Sequence, residues 1–192
     1  MAARVWTIPN MLTVGRILAA PMLLALFLLL ERGTAAPFAL ALFVVAALTD
    51  FVDGWIARRF DMGSAVGRML DPIADKAMVI VCLMLLMALH ADPALPWELS
   101  LPAVLIALRE VLVSGLREFL GAVKLSVTQL AKWKTTAQLV AVGLLLAALP
   151  GAFGPALYPL GIGLLWIAAV LTLLSGWDYF RKGVAHIAAR EE

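Results

Sequence analysis

Apolar residues run along this chain in long blocks separated by short polar clusters. The first block, Met11 to Leu30, is interrupted only by Arg16. The second runs from Pro37 to about Ala57 and carries Asp50 and Asp53 in its last turns. The third covers about Leu70 to Leu89, the fourth about Leu99 to Phe119 with Arg109 and Glu110 inside it, and the fifth about Leu130 to Leu149. The sixth lies within Gly151 to Trp177, 27 residues without a formal charge. Breakers stand between the blocks at Arg32-Gly33, Asp92-Pro93, Pro96, Pro150-Gly151 and Gly154-Pro155. About 20 apolar residues match one bilayer crossing as a helix. None of the blocks alternates as a strand would, and helices satisfy their own backbone in lipid. The pattern predicts an all-α, polytopic integral membrane protein with six transmembrane helices, a single domain over residues 1–192.

Composition agrees. Of 192 residues, 64% are hydrophobic and only 28 are charged, 15 basic and 13 acidic. That excludes both an ordinary soluble domain and a disordered chain. The net charge of +2 is too small to argue for nucleic acid. Its distribution argues for topology instead, because 14 of the 15 basic residues fall at the termini and the even-numbered connections, and only Arg32 lies elsewhere. Positive residues stay inside, so both termini are expected in the cytoplasm. The first ten residues carry one arginine and no cleavage site follows, so no cleavable signal peptide is expected. The lone Cys82 forms no internal disulfide and reads as helix packing. His90 and His186 stand apart, which argues against zinc.

Carboxylates inside membrane segments are costly and point to function. Asp50 lies roughly 20 Å along its helix from Pro37, and Asp53 follows at i+3 on the same face. Across the next connection, Asp71 and Asp75 again share a face at i, i+4. Two antiparallel helices aim these faces at each other, so four carboxylates converge near the cytoplasmic ends. Their repulsion calls for protonation or for cations. Oxygen ligands suit Mg²⁺ or Mn²⁺, and two divalent ions would neutralise the four charges and serve phosphoryl chemistry. Gly54, Ala57 and Gly67 are small enough to let a ligand approach the backbone, and Arg58 offers a bidentate donor set for phosphate. The competing reading pairs the aspartates with Arg58, Arg59, Arg68 and Lys76. Four carboxylates at helical spacing argue against it.

The string Asp50-x2-Asp53-Gly54-x2-Ala57-Arg58-x8-Gly67-x3-Asp71-x3-Asp75 resembles the signature of the CDP-alcohol phosphotransferases at every fixed position. The resemblance implies a six-helix membrane enzyme, a homodimer, with two metals (Mg²⁺ or Mn²⁺) in a cytoplasm-facing polar cavity. In the implied reaction an acceptor hydroxyl attacks the β-phosphorus of a CDP-linked lipid, and CMP leaves. It further implies Asp50, Asp53 and Asp71 as metal ligands, and Asp75 as general base and metal contact. Gly54, Ala57, Arg58 and Gly67, with Asp50, would hold the CDP moiety.

A second set of residues bears on the acceptor. Arg109 and Arg117 are eight apart on one helix face, and Lys132 and Lys134 open the next helix. Together they make a candidate site for an acceptor phosphate, with Glu110 and Glu118 as local compensating charges. The stretch Arg109 to Gln138 is similar to bacterial phosphatidylglycerophosphate synthases of that family. So are Ile8-Pro9-Asn10-Met11-Leu12-Thr13 with Arg16, and Trp177-Asp178-Tyr179. This implies CDP-diacylglycerol and sn-glycerol 3-phosphate as substrates and a bacterial inner membrane location, with no nucleic acid partner. Within the same chemistry the rival acceptors are serine, inositol phosphate and phosphatidylglycerol. Outside it stand a cation transporter and a non-catalytic scaffold. Apolar outer helix halves and Arg58 oppose the first, and the second leaves the carboxylates without a purpose.

Overall fold

The computed structural model describes residues 7–59, 64–91, 94–120 and 129–191. Among these residues there are six α-helices: α1 (Ile8–Leu29), α2 (Arg32–Arg59), α3 (Ala65–His90), α4 (Trp97–Leu120), α5 (Gln129–Ala147) and α6 (Tyr158–Glu191). A short 3₁₀ turn, Pro155–Leu157, leads into α6, and no strand occurs among the described residues.

The helix starts follow from local chemistry. Thr7 caps α1 by accepting a hydrogen bond from the Asn10 amide, and Pro9 occupies the first turn, where a missing N–H goes unnoticed. Ser64 caps α3 by accepting from the Gly67 amide at 2.8 Å. The first connection is shorter than the breakers suggest. Leu30 and Glu31 alone make the turn, and the Glu31 carbonyl accepts from Thr34 and Ala35, so α2 already begins at Arg32. Pro37 lies in its second turn, where a proline removes at most one intrahelical bond. The last helix likewise outruns its apolar block, continuing past Trp177 with Lys182 paired to Asp178 one turn back.

Helix α1 packs on α2 and α3, while α4 and α5 both pack on α6; contacts of α5 with α2 and α3, and of α3 with α4, join the halves. Small residues make these seams close. Ala35, Ala36, Ala39 and Ala46 are buried on α2, Phe43 lies against Gly143, and Gly161 sits under Leu145. Leu23, Leu83, Leu86, Ile106, Leu145, Leu146 and Leu165 fill the centre, with Cys82 sealed among them. The outside is apolar too: Leu28, Leu48, Met84, Leu112, Phe119 and Leu174 are exposed. Such a surface suits lipid.

Among the described residues, five helical stretches are long and apolar enough to cross a membrane: Pro9–Leu29, Arg32–Asp50, Met69–His90, Trp97–Leu120 and Pro155–Ile187. The apolar part of α5, Trp133–Ala147, is shorter. Its first turns are polar because Lys134 and Gln138 are buried there against neighbouring helices.

The link from α5 to α6 is tightly specified. Gly151 adopts φ +90° and Gly154 φ +96°, and a Cβ on Gly151 would fall 1.9 Å from the Gly33 carbonyl oxygen. Gly151→Ala is therefore expected to lower stability by about 1–3 kcal/mol. Gly163→Ala, with open space around it, should cost nothing comparable. Thermal unfolding of both variants in detergent checks the contrast; equal melting temperatures would refute it.

Candidate active site

The antiparallel order brings the end of α2, the starts of α1, α3 and α5, and the C-terminal halves of α4 and α6 to one end of the bundle. Two charged clusters form there.

The first surrounds Arg16 of α1. Its guanidinium is buried, yet its three carboxylate neighbours remain between a third and a half exposed. Nη1 donates to Asp50 Oδ1 of α2 and, at 2.6 Å, to Asp75 Oδ1 of α3. Nη2 lies 3.7 Å from Asp71 Oδ1. One turn before Arg16, the Thr13 hydroxyl stands 2.8 Å from Asp71 Oδ1 and 3.0 Å from the Pro9 carbonyl, its single proton serving one at a time. So three of the four expected aspartates do converge, around a cation from a helix 34 and 59 residues distant from Asp50 and Asp75. Asp53, Gly54, Ala57 and Arg58 have helical backbone, but their side-chain placement lies outside the described residues. Among the described residues no three His, Cys, Asp or Glu side chains are grouped to hold a metal ion. The chemistry of the donor set nevertheless suits one: hard carboxylate oxygens already gathered around a positive charge.

Gly67 has a packing reason of its own. Its added Cβ would lie 2.6 Å from Asn10 Oδ1, the atom that accepts from the Ser64 hydroxyl at 2.8 Å. The glycine lets the starts of α1 and α3 touch, which sets Thr13 and Arg16 opposite Asp71 and Asp75.

The second cluster joins α4, α5 and α6. Arg109 is buried and donates three ways: Nε to the Thr172 carbonyl at 3.0 Å, Nη2 to Ser175 Oγ at 3.1 Å and Nη1 to Glu110 Oε1 at 3.0 Å. It rests on Gly176, where a Cβ would come within 2.9 Å of it. Glu110 Oε1 also accepts from buried Lys134, so this carboxylate compensates two cations at once. Gln138 donates to Thr172 Oγ1 at 2.8 Å, and Lys76 donates to Ser114. Arg117 stands 5.8 Å above the Tyr179 ring, a cation–π distance. Of the expected basic residues, Arg109, Arg117 and Lys134 thus come together; the side chain of Lys132 lies outside the described residues.

The clusters share one cavity of about 320 Å³. Asp71 and Asp75 line it together with Lys76, Arg117, Lys134, Tyr179 and Lys182. Lys76 and Lys182 were not singled out from sequence as acceptor contacts, although Lys76 directly follows Asp75 and Lys182 lies one turn after Asp178. Trp97 and Trp166 sit elsewhere, edge to face at 6.3 Å, with Trp166 donating to the Glu98 carbonyl. His90 stacks on Tyr158.

An all-helical bundle with apolar outer faces, and a polar cavity pairing carboxylates with cations, defines a helical membrane protein with a charged site at one end of the bundle. Comparison with known proteins makes this specific. The family model described as CDP-alcohol phosphatidyltransferase matches residues 6–174, and the chain belongs to that family. It is 45% identical to a CDP-diacylglycerol–glycerol-3-phosphate 3-phosphatidyltransferase of Cereibacter sphaeroides, covering 95% of this chain and 97% of that one. A protein of the same name from Rickettsia typhi is 42% identical over 91% and 95% of the two chains. A CMP-forming cardiolipin synthase of Oryza sativa is 38% identical, over 92% of this chain and 57% of that one.

Removing Glu110 would leave Arg109 and Lys134 buried without their shared counter-charge. Glu110→Leu is expected to destabilise the protein by about 3 kcal/mol or more, read as a fall in melting temperature. A loss below about 1 kcal/mol would mean that the two cations find another partner or reach water.

Proposed function

We propose that this protein transfers the phosphatidyl group of CDP-diacylglycerol to sn-glycerol 3-phosphate, giving phosphatidylglycerophosphate and CMP. The observation that carries the reading is the shared cavity, in which Asp71 and Asp75 face Arg117, Lys134 and Lys182. The names of the relatives above point the same way.

In this reading Asp50, Asp53, Asp71 and Asp75 hold two divalent ions, Mg²⁺ or Mn²⁺. Bound there, the ions would offset the charge of the diphosphate as it is attacked. Asp50, Gly54, Ala57, Arg58 and Gly67 receive the CDP moiety. Asp75 accepts the proton of the acceptor hydroxyl while its oxygen bonds to the β-phosphorus and the bond to CMP breaks. Arg117, Lys132 and Lys134 hold the acceptor phosphate. Arg109, tied to α6 and Glu110, lines the cavity with them and adds its positive charge there. The dianionic acceptor suits this wall of cations better than serine, a zwitterion without net charge, does.

The α5 helix completes a sixth crossing, and the cavity opens to the cytoplasm, where water-soluble glycerol 3-phosphate and CMP are exchanged. The diacylglycerol tails stay in the bilayer. The concentration of basic residues at this end supports that orientation. The active form is a homodimer in the bacterial inner membrane.

The test is CMP release by purified protein with CDP-diacylglycerol and Mg²⁺. Glycerol 3-phosphate should support EDTA-sensitive release. Serine, inositol phosphate and phosphatidylglycerol should not, and release with phosphatidylglycerol instead would assign the cardiolipin-forming activity named for the Oryza relative. In the same assay Asp75→Asn should abolish turnover with CDP-lipid binding retained. Arg117→Ala should raise the KM for the acceptor far more than that for the CDP-lipid; the reverse would move Arg117 to the nucleotide side.

A further inference from the structure

The aspartate cluster already contains a positive charge that the two-metal reading does not use. Arg16 arises from α1, outside the aspartate string. It is 4% exposed, yet it reaches Asp50, Asp75 and Asp71, which belong to two other helices. Asp71 and Asp75 line the cavity and Asp50 keeps more than a third of its side chain exposed, while the guanidinium is buried. A cation in that position does two things. It offsets the mutual repulsion of carboxylates that would otherwise splay α2 from α3. It also repels any further cation brought to the same oxygens, and the closer and drier the site, the stronger that repulsion.

We propose that Arg16 is the resident counter-ion of the metal site, a positioning residue that holds Asp50 and Asp75 in register before a divalent ion arrives and limits how tightly that ion binds. The proposal rests on the reading of the aspartates as metal ligands. It explains how the chain itself offsets the repulsion within so acidic a cluster. It also makes the ion exchangeable, because part of the negative charge is permanently neutralised. A pin between helices would explain the contacts equally well, but it would not predict the direction in which metal affinity changes when the charge is removed.

The experiment measures Mn²⁺ binding to the full-length protein in detergent, without substrates, by electron paramagnetic resonance, alongside melting temperature with and without Mn²⁺. Wild type should bind Mn²⁺. Arg16→Met should melt lower in the absence of metal, regain much of the loss when Mn²⁺ is added, and bind Mn²⁺ about tenfold more tightly, since a unit charge within a few ångströms of a divalent ion has gone. Arg16→Lys keeps the charge and should bind Mn²⁺ within about threefold of wild type. Equal or weaker binding by folded Arg16→Met overturns the proposal while leaving the metal reading intact. Absence of Mn²⁺ binding in wild type overturns the metal reading and the proposal with it. If Arg16→Met folds only with Mn²⁺ present, the ion has taken over the role of the guanidinium, as proposed. If it folds under neither condition, Arg16→Lys decides: an affinity outside the threefold window overturns the proposal.

Discussion

A charge placed inside a helical membrane bundle must find a partner there, because neither lipid nor a packed core will solvate it. Much of the polar end of this protein answers that constraint. Arg16 answers it for Asp50, Asp71 and Asp75, and Glu110 answers it for Arg109 and Lys134. Because each partner comes from a different helix, satisfying the charges also fixes how the helices sit. The Arg16 cluster ties α1 to α2 and α3. The Glu110 cluster ties α4 to α5, and Arg109 extends it to α6 through Thr172 and Ser175. The cavity is what lies between these two pinned halves.

The two clusters are built differently, and the difference matches their proposed roles. Around Arg16 the cation is buried and the anions are partly open, so the carboxylates are available to a further cation. Around Glu110 all three charged groups are buried, and Arg109 spends its donors on fixed protein atoms. That cluster is a braced part of the cavity wall, beside which the more exposed Arg117 and Lys182 also line the cavity. Small residues make both possible. Gly67 allows Asn10 to meet Ser64, and Gly176 gives Arg109 its seat. Neither place would accept a methyl group without movement.

Much of this was legible in the amino-acid order. An all-helical membrane architecture was expected and is present among the described residues, with five of the six helices long and apolar enough to cross a membrane and with boundaries displaced at the start of α2 and the end of α6. The aspartate string led to the family to which the chain belongs. The basic residues Arg109, Arg117 and Lys134 were expected to gather and do so. What local spacing did not reveal was a partner for the carboxylates within the chain. The sequence argues against pairing with neighbouring Arg58, Arg59, Arg68 and Lys76 and for divalent ions. Of these, Lys76 turns away to Ser114, and the partner found is Arg16, from a helix earlier in the chain.

The sequence by itself determined what depends on local periodicity and composition: helices rather than strands, burial in lipid, and which face of each helix bears charge. Those properties repeat within a few residues and need no knowledge of neighbours. Tertiary structure alone decided which charge meets which. It set Arg16 against Asp50 and Asp75, tied Arg109 to α6 and Glu110 at the cavity wall, and brought Lys76 and Lys182 to that wall as well. Electrostatic pairing acts over a few ångströms in space, and residues 59 apart along the chain come within that range only when the helices pack.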